Sequence, residues 1–335
     1  MTFQEMIDGL DLEPKHAVWR SNFDVAATND LAVLNRDVLA ERLDFLRMST
    51  DPAAAMERAC SQIAKNEHLQ HLLACVHHHL FIEQNLVPPE GRWPALPEHH
   101  GEGGALIYAL ACLEAMPSAL AVYTQRGIKE HVARATLADL ELWMRDFFER
   151  SGRWGMVESG WMSLHFRAAV FALGRLQFEP SVFDAACYLN NATGPMVTGD
   201  DVLSLHIPAI GPMTPQQCDD SFAEATLFFR RHFSERRFVA FTCASWLLDR
   251  QLAEHLPAES NIVKFLKRFE PLTLKLADNR QMLERVFGQS KIDPAAAPRD
   301  TTLRRVIADS MSRGDEWKMG AGYISIPQAD DEHDS

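Results

Sequence analysis

Apolar residues recur at three- and four-residue spacing through most of the first 150 positions, which predicts a series of amphipathic helices. Arg36–Met48 carries Val38, Leu39, Leu43, Phe45 and Leu46 among charges, and Asp51 suits the N-cap of a helix over Pro52–Ala64. Leu72, Leu73, Val76, Leu80 and Phe81 form one stripe over Leu69–Gln84. Pro88, Pro89, Pro94 and Pro97 mark a loop. Gly103 and Gly104 open an apolar helix over Ala105–Tyr123, with Pro117 a kink or break. Lys129–Arg150 follows, with Val132, Leu137, Leu140, Trp143 and Phe147 on its stripe. No β-rich run interrupts this half.

After Gly152 the period changes. His165–Phe178 and Val182–Asn190 read as strands, Asn190–Asp201 as a turn-rich connection, and Val202–Ile207 as a third strand. A helix over Pro215–His232 is strongly marked: Thr214 suits its N-cap, Pro215 its first position, and Gln217 completes a capping box. Phe238–Trp246 reads as a fourth strand, Ser260–Phe269 as a helix, and Leu272–Leu276 as a short strand. Arg280–Phe287 and Thr302–Ser312 read as helices, and Gly322–Ile326 as a last strand. The expected architecture is α+β: an all-helical domain over 1–152, then a mixed-sheet α/β domain over 153–328. The acidic tail 329–335 is expected to be disordered.

Composition narrows the function classes. The chain has 335 residues, 47% of them hydrophobic and 24% charged, as in ordinary globular proteins. Its formal net charge of −13 disfavours a nucleic-acid surface, which needs clustered Lys and Arg. The start has no basic n-region and no apolar core, and the longest apolar candidate, Ala105–Met116, is short and contains Glu114, so no membrane partner is expected. The six cysteines, Cys60, Cys75, Cys112, Cys187, Cys218 and Cys243, are scattered with no C-x-x-C pair. Reduced thiols and a cytoplasmic setting are therefore expected. Oligomeric state is not readable.

The stretch from His206 to Gln217 (HIPAIGPMTPQQ) carries the clearest chemical signal. A strand, a Gly/Pro turn and a helix N-terminus follow in order, which presents free N–H groups and a positive dipole end to an anion. The plainer reading is a tight strand–helix turn with no ligand.

The order of elements around that turn resembles the GNAT acyltransferase fold. There a hairpin leads to a central strand, whose following turn holds the coenzyme A pyrophosphate, and the next strand splays away to admit the pantetheine. Val202–Ile207 matches the central strand, Ala209–Thr214 the turn and Phe238–Ser245 the splayed strand. Asn261–Phe269 looks like the second-helix signature. The phrases Leu173–Glu179, His206-Ile207-Pro208, Ser245–Asp249, Ser260-Asn261-Ile262 and Trp317–Gly322 are together similar to a bacterial two-part family, with a helical N-acyltransferase N-terminal domain before a GNAT-like C-terminal domain.

The resemblance implies transfer of an acyl group from acetyl-CoA or another acyl-CoA to an amine or hydroxyl of a small-molecule acceptor, without a metal. It places the cofactor against Ile207, Ala209, Ile210, Gly211, Met213, Thr214, Gln216 and Gln217, with Asn261 on the pantetheine. This turn departs from the family pattern in having Gly211 alone, and Pro212 and Pro215 remove two donors.

Acyl transfer to an amine needs a base for the ammonium and an acid for the departing thiolate. His206, ending the central strand, is the candidate base, since an imidazole of unperturbed pKa ~6.5 suits the task. Glu179 is a candidate relay, and by alternation Arg175 and Gln177 share its face. Ser245, with Cys243 on the same strand face, is the candidate acid. Each has a plainer reading as a packed or hydrogen-bonded structural group, and Asn261 competes with Ser260 for a helix cap. Two rivals stand beside acyl transfer: a non-catalytic GNAT-like module binding CoA, a nucleotide or a partner, and a metal enzyme built on His68, His71, Cys75 and the neighbouring His77, His78 and His79.

Overall fold

The computed structural model describes residues 2–12, 31–82, 93, 95–189 and 194–327. The predicted loop at Pro88, Pro89 and Pro94, residues 190–193 of the predicted turn and the tail 329–335 lie outside them, and the rest of that turn, up to Asp201, is turn-rich as expected. By contacts the chain divides into Met1–Phe171 and Ala172–Ser335.

The first unit is helical: α1 (Phe3–Gly9), α2 (Arg36–Leu46), α3 (Thr50–Ile63), α4 (Glu67–His77), α5 (Gly101–Ala105), α6 (Ile107–Gln125), α7 (Glu130–Leu137), α8 (Asp139–Ser151) and α9 (Ser159–Phe166). Asn35 and Asn66 each accept two backbone N–H bonds at the starts of α2 and α4, satisfying donors that the helix cannot. The span expected as one helix over 129–150 is two, which meet at Ala138.

The sequence placed 153–170 in the second domain. In the structure α9 instead contributes Met162 and Phe166 to the apolar core of the helical unit. His165 and Phe166 are thus helical and not part of a strand, because the apolar spacing of Ser159–Phe166 packs onto that core.

The axis of the unit is α6. Eleven of its nineteen residues are buried, and by length and composition alone the stretch Glu98–Gln125 is apolar enough to cross a membrane. Pro117 lies inside α6 without ending it. Proline has no N–H for the carbonyl four residues earlier, which here is Leu113. Arg42 supplies the missing donor: its Nη1 bonds the Leu113 carbonyl at 2.9 Å and the Glu114 carboxylate at 3.0 Å. Glu114 also accepts from the Val33 and Ala32 amides at 2.7 and 3.3 Å. The one acid in the middle of the apolar helix is thereby neutralised, and the helical gap at Pro117 is closed by the same side chain.

The second unit is built on a six-stranded sheet in the order β1-β2-β3-β4-β6-β5. Its elements are β1 (Phe171–Leu173), β2 (Leu176–Val182), β3 (Asp201–His206), α10 (Pro215–His232), β4 (Phe238–Ser245), α11 (Gln251–His255), α12 (Asn261–Leu266), β5 (Glu270–Leu272), α13 (Arg280–Phe287), α14 (Thr302–Ser312) and β6 (Gly320–Ser325). The predicted strand over 165–178 is resolved into a hairpin, β1 and β2, because Gly174 turns the chain with φ 66° and a Cβ there would meet Ser221 Oγ at 2.6 Å. Of the predicted strand over 182–190, Val182 ends β2, and the described residues 183–189 form no strand of their own. Asp184 accepts from the Ala186 amide, and that local bond fixes a 3-10 turn over Ala185–Cys187.

β2 pairs antiparallel with β3, and β3 pairs parallel with β4. One sheet face is covered by α10, where the Phe178, Phe222 and Phe241 rings meet at centroid distances of 5.0–6.1 Å. The opposite face carries a small apolar cluster of Phe183, Met196, Val202, Ala240, Leu272 and Ala321.

Replacing Arg42 by Met would leave the Glu114 carboxylate and the Leu113 carbonyl buried without their partner. We expect a loss of about 3–5 kcal/mol, read as a lowered thermal midpoint of the helical unit, with full recovery of neither in Arg42→Lys.

Candidate active site

The site begins where two strands part. The β3–β4 register runs Asp201↔Phe238, Val202↔Ala240, Leu203↔Phe241, Ser204↔Thr242 and then ends. Leu205 and His206 continue β3 beside β2, while Cys243, Ala244 and Ser245 continue β4 beside β6. The facing backbone edges beyond Ser204 and Thr242 are therefore not paired with each other. In an open parallel sheet such a gap at the carboxyl ends of strands is where ligands enter, and its exposed N–H and C=O groups are available to an extended chain.

The groups around the gap follow from register. His206 stands opposite Gln177, and Ser204 opposite Glu179. Paired residues share a face, so all four lie on one side of the sheet, away from α10. His206 Nε2 lies 2.9 Å from Glu179 Oε2, a diagonal pair across the two strands, with both side chains about a quarter exposed. With the carboxylate accepting, Nε2 is the donor, and in the neutral imidazole the lone pair is then on Nδ1. Gln177, opposite His206, is buried.

The expected capping box is present. Thr214 Oγ1 accepts from the Gln217 amide at 3.3 Å, and the Gln217 side chain reaches back to Thr214. The Cys218 amide is taken by the Thr214 carbonyl at 3.1 Å, and Pro215 has none. Of the first helical amides only that of Gln216 is left to face a ligand.

What shapes the preceding turn is Arg175, placed in the sequence on a strand face with Gln177 and Glu179. It lies in the β1–β2 turn instead, and its buried guanidinium crosses to the 208–212 segment. Nη1 donates to the Pro208 carbonyl at 3.0 Å, Nη2 to Gly211 at 2.9 Å and Nε to Pro212 at 3.2 Å. In a trans peptide the following N–H points opposite to the carbonyl. Drawing the Pro208 and Pro212 carbonyls inward therefore turns the Ala209 and Met213 amides outward.

Gly211, at φ 69°, completes the bend with nothing within 4 Å of a Cβ position. The Ile210 amide is spent on the Pro208 carbonyl at 2.9 Å. Ala209, Gly211, Met213 and Gln216 thus keep amides that bond nothing among the described residues. Arg175 forms no ion pair among them, so its positive charge lies behind the turn. Burial lowers its pKa from the ordinary arginine value, with Cys218 opposing that shift. Arg268 braces the helix start from the other side, bonding the Pro215 carbonyl at 3.0 Å and pairing with Asp219.

The remaining sequence candidates take these places. Ser245 Oγ accepts from the Leu247 amide at 3.2 Å and caps a 3-10 turn over Trp246–Leu248, which leaves its O–H to donate. Cys243 is fully buried, and burial pushes its thiol up to about 12, so it is neither a ready nucleophile nor an acid matched to neutral pH. Asn261 does not cap α12, because Ser260 does, by accepting from the Val263 amide at 3.3 Å. The Trp317–Gly322 phrase has a packing cause: a Cβ on Gly320 would sit 2.1 Å from the Leu248 carbonyl, and Asp249 accepts from the Lys318 amide at 2.8 Å. Among the described residues no group of three or more His, Cys, Asp or Glu side chains is placed to hold a metal ion.

The parted strands, the outward amides after the central strand and the helix start behind them define a GNAT-like acyltransferase domain. Comparison with known proteins agrees: residues 170–324 match the GNAT-like C-terminal domain family and residues 37–168 the N-acyltransferase N-terminal domain family. The chain belongs to the two-part acyltransferase family that joins these domains. It is similar to an acyltransferase solved in complex with decanoyl-CoA and teicoplanin, with 25% identity over 98% of this chain and 100% of that one and a TM-score of 0.84. A mutant acyltransferase in complex with octanoyl-CoA gives the same identity, coverage and TM-score. An acyltransferase in complex with decanoyl-CoA is 26% identical over 98% of this chain and 100% of that one, with a TM-score of 0.80. No curated protein sequence matches the chain.

Lysine keeps the charge of Arg175 but cannot span three carbonyls with a fork. We expect Arg175→Lys to lower the thermal stability of the second unit by about 1–3 kcal/mol, measured by calorimetry of the full chain. An unchanged midpoint would show that the turn is shaped by something else.

Proposed function

We propose that this protein transfers an acyl group from an acyl-CoA to an amine of a small-molecule acceptor, by direct attack on the thioester. The observation that carries the reading is the parting of β3 and β4 after Ser204 and Thr242, beside a turn whose free amides point outward. The donor set fits a pyrophosphate: the amides of Ala209, Gly211, Met213 and Gln216 are uncommitted, the helix dipole adds its positive end, and Arg175 lies behind. Ile207, Ile210, Thr214 and Gln217 shape that turn, and Asn261 is left to bond the pantetheine arm. The acyl-CoA complexes of the similar acyltransferases support a chain of eight to ten carbons. The teicoplanin complex supports a bulky small-molecule acceptor.

In this reading His206 Nδ1 takes the proton from the acceptor ammonium. An amine with a pKa near ~10.4 is mostly protonated at neutral pH and cannot attack until it loses one. Glu179, bonded to Nε2, fixes the tautomer and stabilises the imidazolium that forms. The uncharged amine then attacks the thioester carbon and the C–S bond breaks; the departing thiolate takes a proton from the Ser245 hydroxyl, which regains one from the cationic nitrogen as the amide forms. A reduced, cytoplasmic setting fits the six free cysteines, five of them buried.

Two experiments test this reading. Gly211→Asp places a carboxylate in the anion turn at a position with open space, and aspartate tolerates the left-handed backbone better than most residues. Calorimetric titration with decanoyl-CoA should show affinity reduced about a hundredfold or more in a protein that still melts cooperatively, its stability lowered only by the ~1–2 kcal/mol of a non-glycine residue in the left-handed region. Undiminished binding would remove the turn assignment.

The second experiment follows kcat/KM against pH. A general base must be unprotonated, so activity falls on the acid side as it gains its proton. His206→Ala should lower kcat/KM by about 10²–10⁴-fold and abolish that acid limb. Glu179→Gln should weaken the rate while keeping the limb. A wild-type rate at every pH in His206→Ala would exclude it as the base.

A further inference from the structure

Gln177 lies in β2 directly opposite His206 and two residues before Glu179, so its side chain stands on the same sheet face as both. It is 3% exposed. Its carboxamide nevertheless bonds no described residue, and Oε1 and Nε2 are not among the sealed, unbonded polar atoms. Its strand neighbours Leu176 and Phe178 are fully buried on the α10 side. A solvated strand face does not explain the residue. Glu179, on that same face, is about a quarter exposed, and Gln177 hardly at all.

A carboxamide carries two N–H donors and an oxygen that accepts. Taking it out of water without a partner costs free energy, and buried polar groups are as a rule hydrogen-bonded. Leucine would fill a similar volume at that position without the penalty. With no partner in the described chain, the group that completes Gln177 comes from outside it. Its place says which one. It stands beside His206, where the acceptor ammonium gives up its proton, and not at the turn that takes the diphosphate.

We infer that Gln177 selects the acceptor: its carboxamide hydrogen-bonds a neutral group next to the amine that both donates and accepts, a hydroxyl or an amide. This rests on the acyl-transfer reading and names the acceptor class within it. Paired Cβ atoms on neighbouring antiparallel strands lie about 5 Å apart. A group held by Gln177 is therefore within a carbon or two of the nitrogen at His206. Oε1 accepts from that group and Nε2 donates to it. A bare alkylamine leaves the carboxamide desolvated and unpaired, and a site built to bond a polar group rejects the analogue that lacks it. A carboxylate fails for another reason, because Glu179 holds like charge on the same face. Amino alcohols and amino amides are thus the favoured acceptors, above alkylamines and amino acids.

The test follows decanoyl transfer from decanoyl-CoA to butylamine, 2-amino-1-butanol, 2-aminobutanamide and 2-aminobutanoate, with the amide product measured by mass spectrometry. In the wild-type chain we expect kcat/KM for the better of the alcohol and the amide to exceed that for butylamine and for the carboxylate by about a hundredfold or more. The better of the two names the neighbouring group. Gln177→Leu should collapse the preference over butylamine to less than about tenfold, with decanoyl-CoA affinity kept. It should also raise the thermal midpoint by about 2–4 °C, as an unpaired carboxamide gives way to an apolar side chain. Three results would each overturn the inference: equal rates with butylamine in the wild type, as water alone on the carboxamide would give; a preference that survives in Gln177→Leu; or no amide product from any of these amines despite bound decanoyl-CoA. So would a lowered midpoint, which marks a carboxamide bonded within the protein. Failure of decanoyl-CoA to bind the wild type would instead remove the acyl-CoA reading, and the role of Gln177 with it.

Discussion

The site depends on one buried guanidinium. Arg175 has no acid partner among the described residues, and its charge is met by three backbone carbonyls. A buried charge is tolerated only when its donors are well satisfied, so the segment from Pro208 to Pro212 has to wrap around it. That requirement faces carbonyls inward and amides outward, and it holds the bend at Gly211 in the left-handed region. The anion-binding property of the turn is thus a by-product of solving a desolvation problem on its other side. The two prolines that remove donors also fix φ, so the remaining amides are held with less entropy left to lose.

The second constraint is strand pairing. A parallel pair is held by evenly spaced ladder bonds, and β3 and β4 make them only as far as Ser204 and Thr242. Each strand is then held by a different neighbour, β3 by β2 and β4 by β6. Neither strand frays, because each is supported on its outer edge, and the space between them is maintained without a side chain to wedge it open. His206 and Glu179 face that end because of the antiparallel register of β2 on β3. A one-residue slip of β2 would turn Glu179 to the α10 side, into the aromatic cluster of Phe178, Phe222 and Phe241, and part it from His206.

Much of this was legible in the sequence where local chemistry decides structure. Pro215–His232, Arg280–Phe287 and Thr302–Ser312 fall where their periodicity and caps put them. Thr214, Pro215 and Gln217 specify the helix start by contacts within four residues. The family phrases led to the two-part family. The errors fall where a distant partner decides. His165 and Phe166 read as the start of a strand, and their helicity comes from packing Met162 and Phe166 onto a core assembled from residues far earlier in the chain. Arg175 resembled one more polar residue on an alternating strand. No local signal marks its reach of more than thirty positions to the turn carbonyls, although a Gly-Arg pair between two apolar runs does mark a hairpin. The pairing of His206 with Glu179 likewise depends on register, which a single sequence does not display.

The Arg42–Glu114–Pro117 arrangement has a consequence for how the chain is made. Synthesis runs from the N-terminus, so α2 and its arginine exist before the apolar stretch Glu98–Gln125 emerges. That stretch is the one described helix long and apolar enough to pass for a membrane anchor. When it appears, the earlier helices that will cover it are already available, and the guanidinium that matches its single mid-helix acid is among them. The order of elements therefore works as a timing device: the most insertion-prone and aggregation-prone segment is the one whose escort is already waiting.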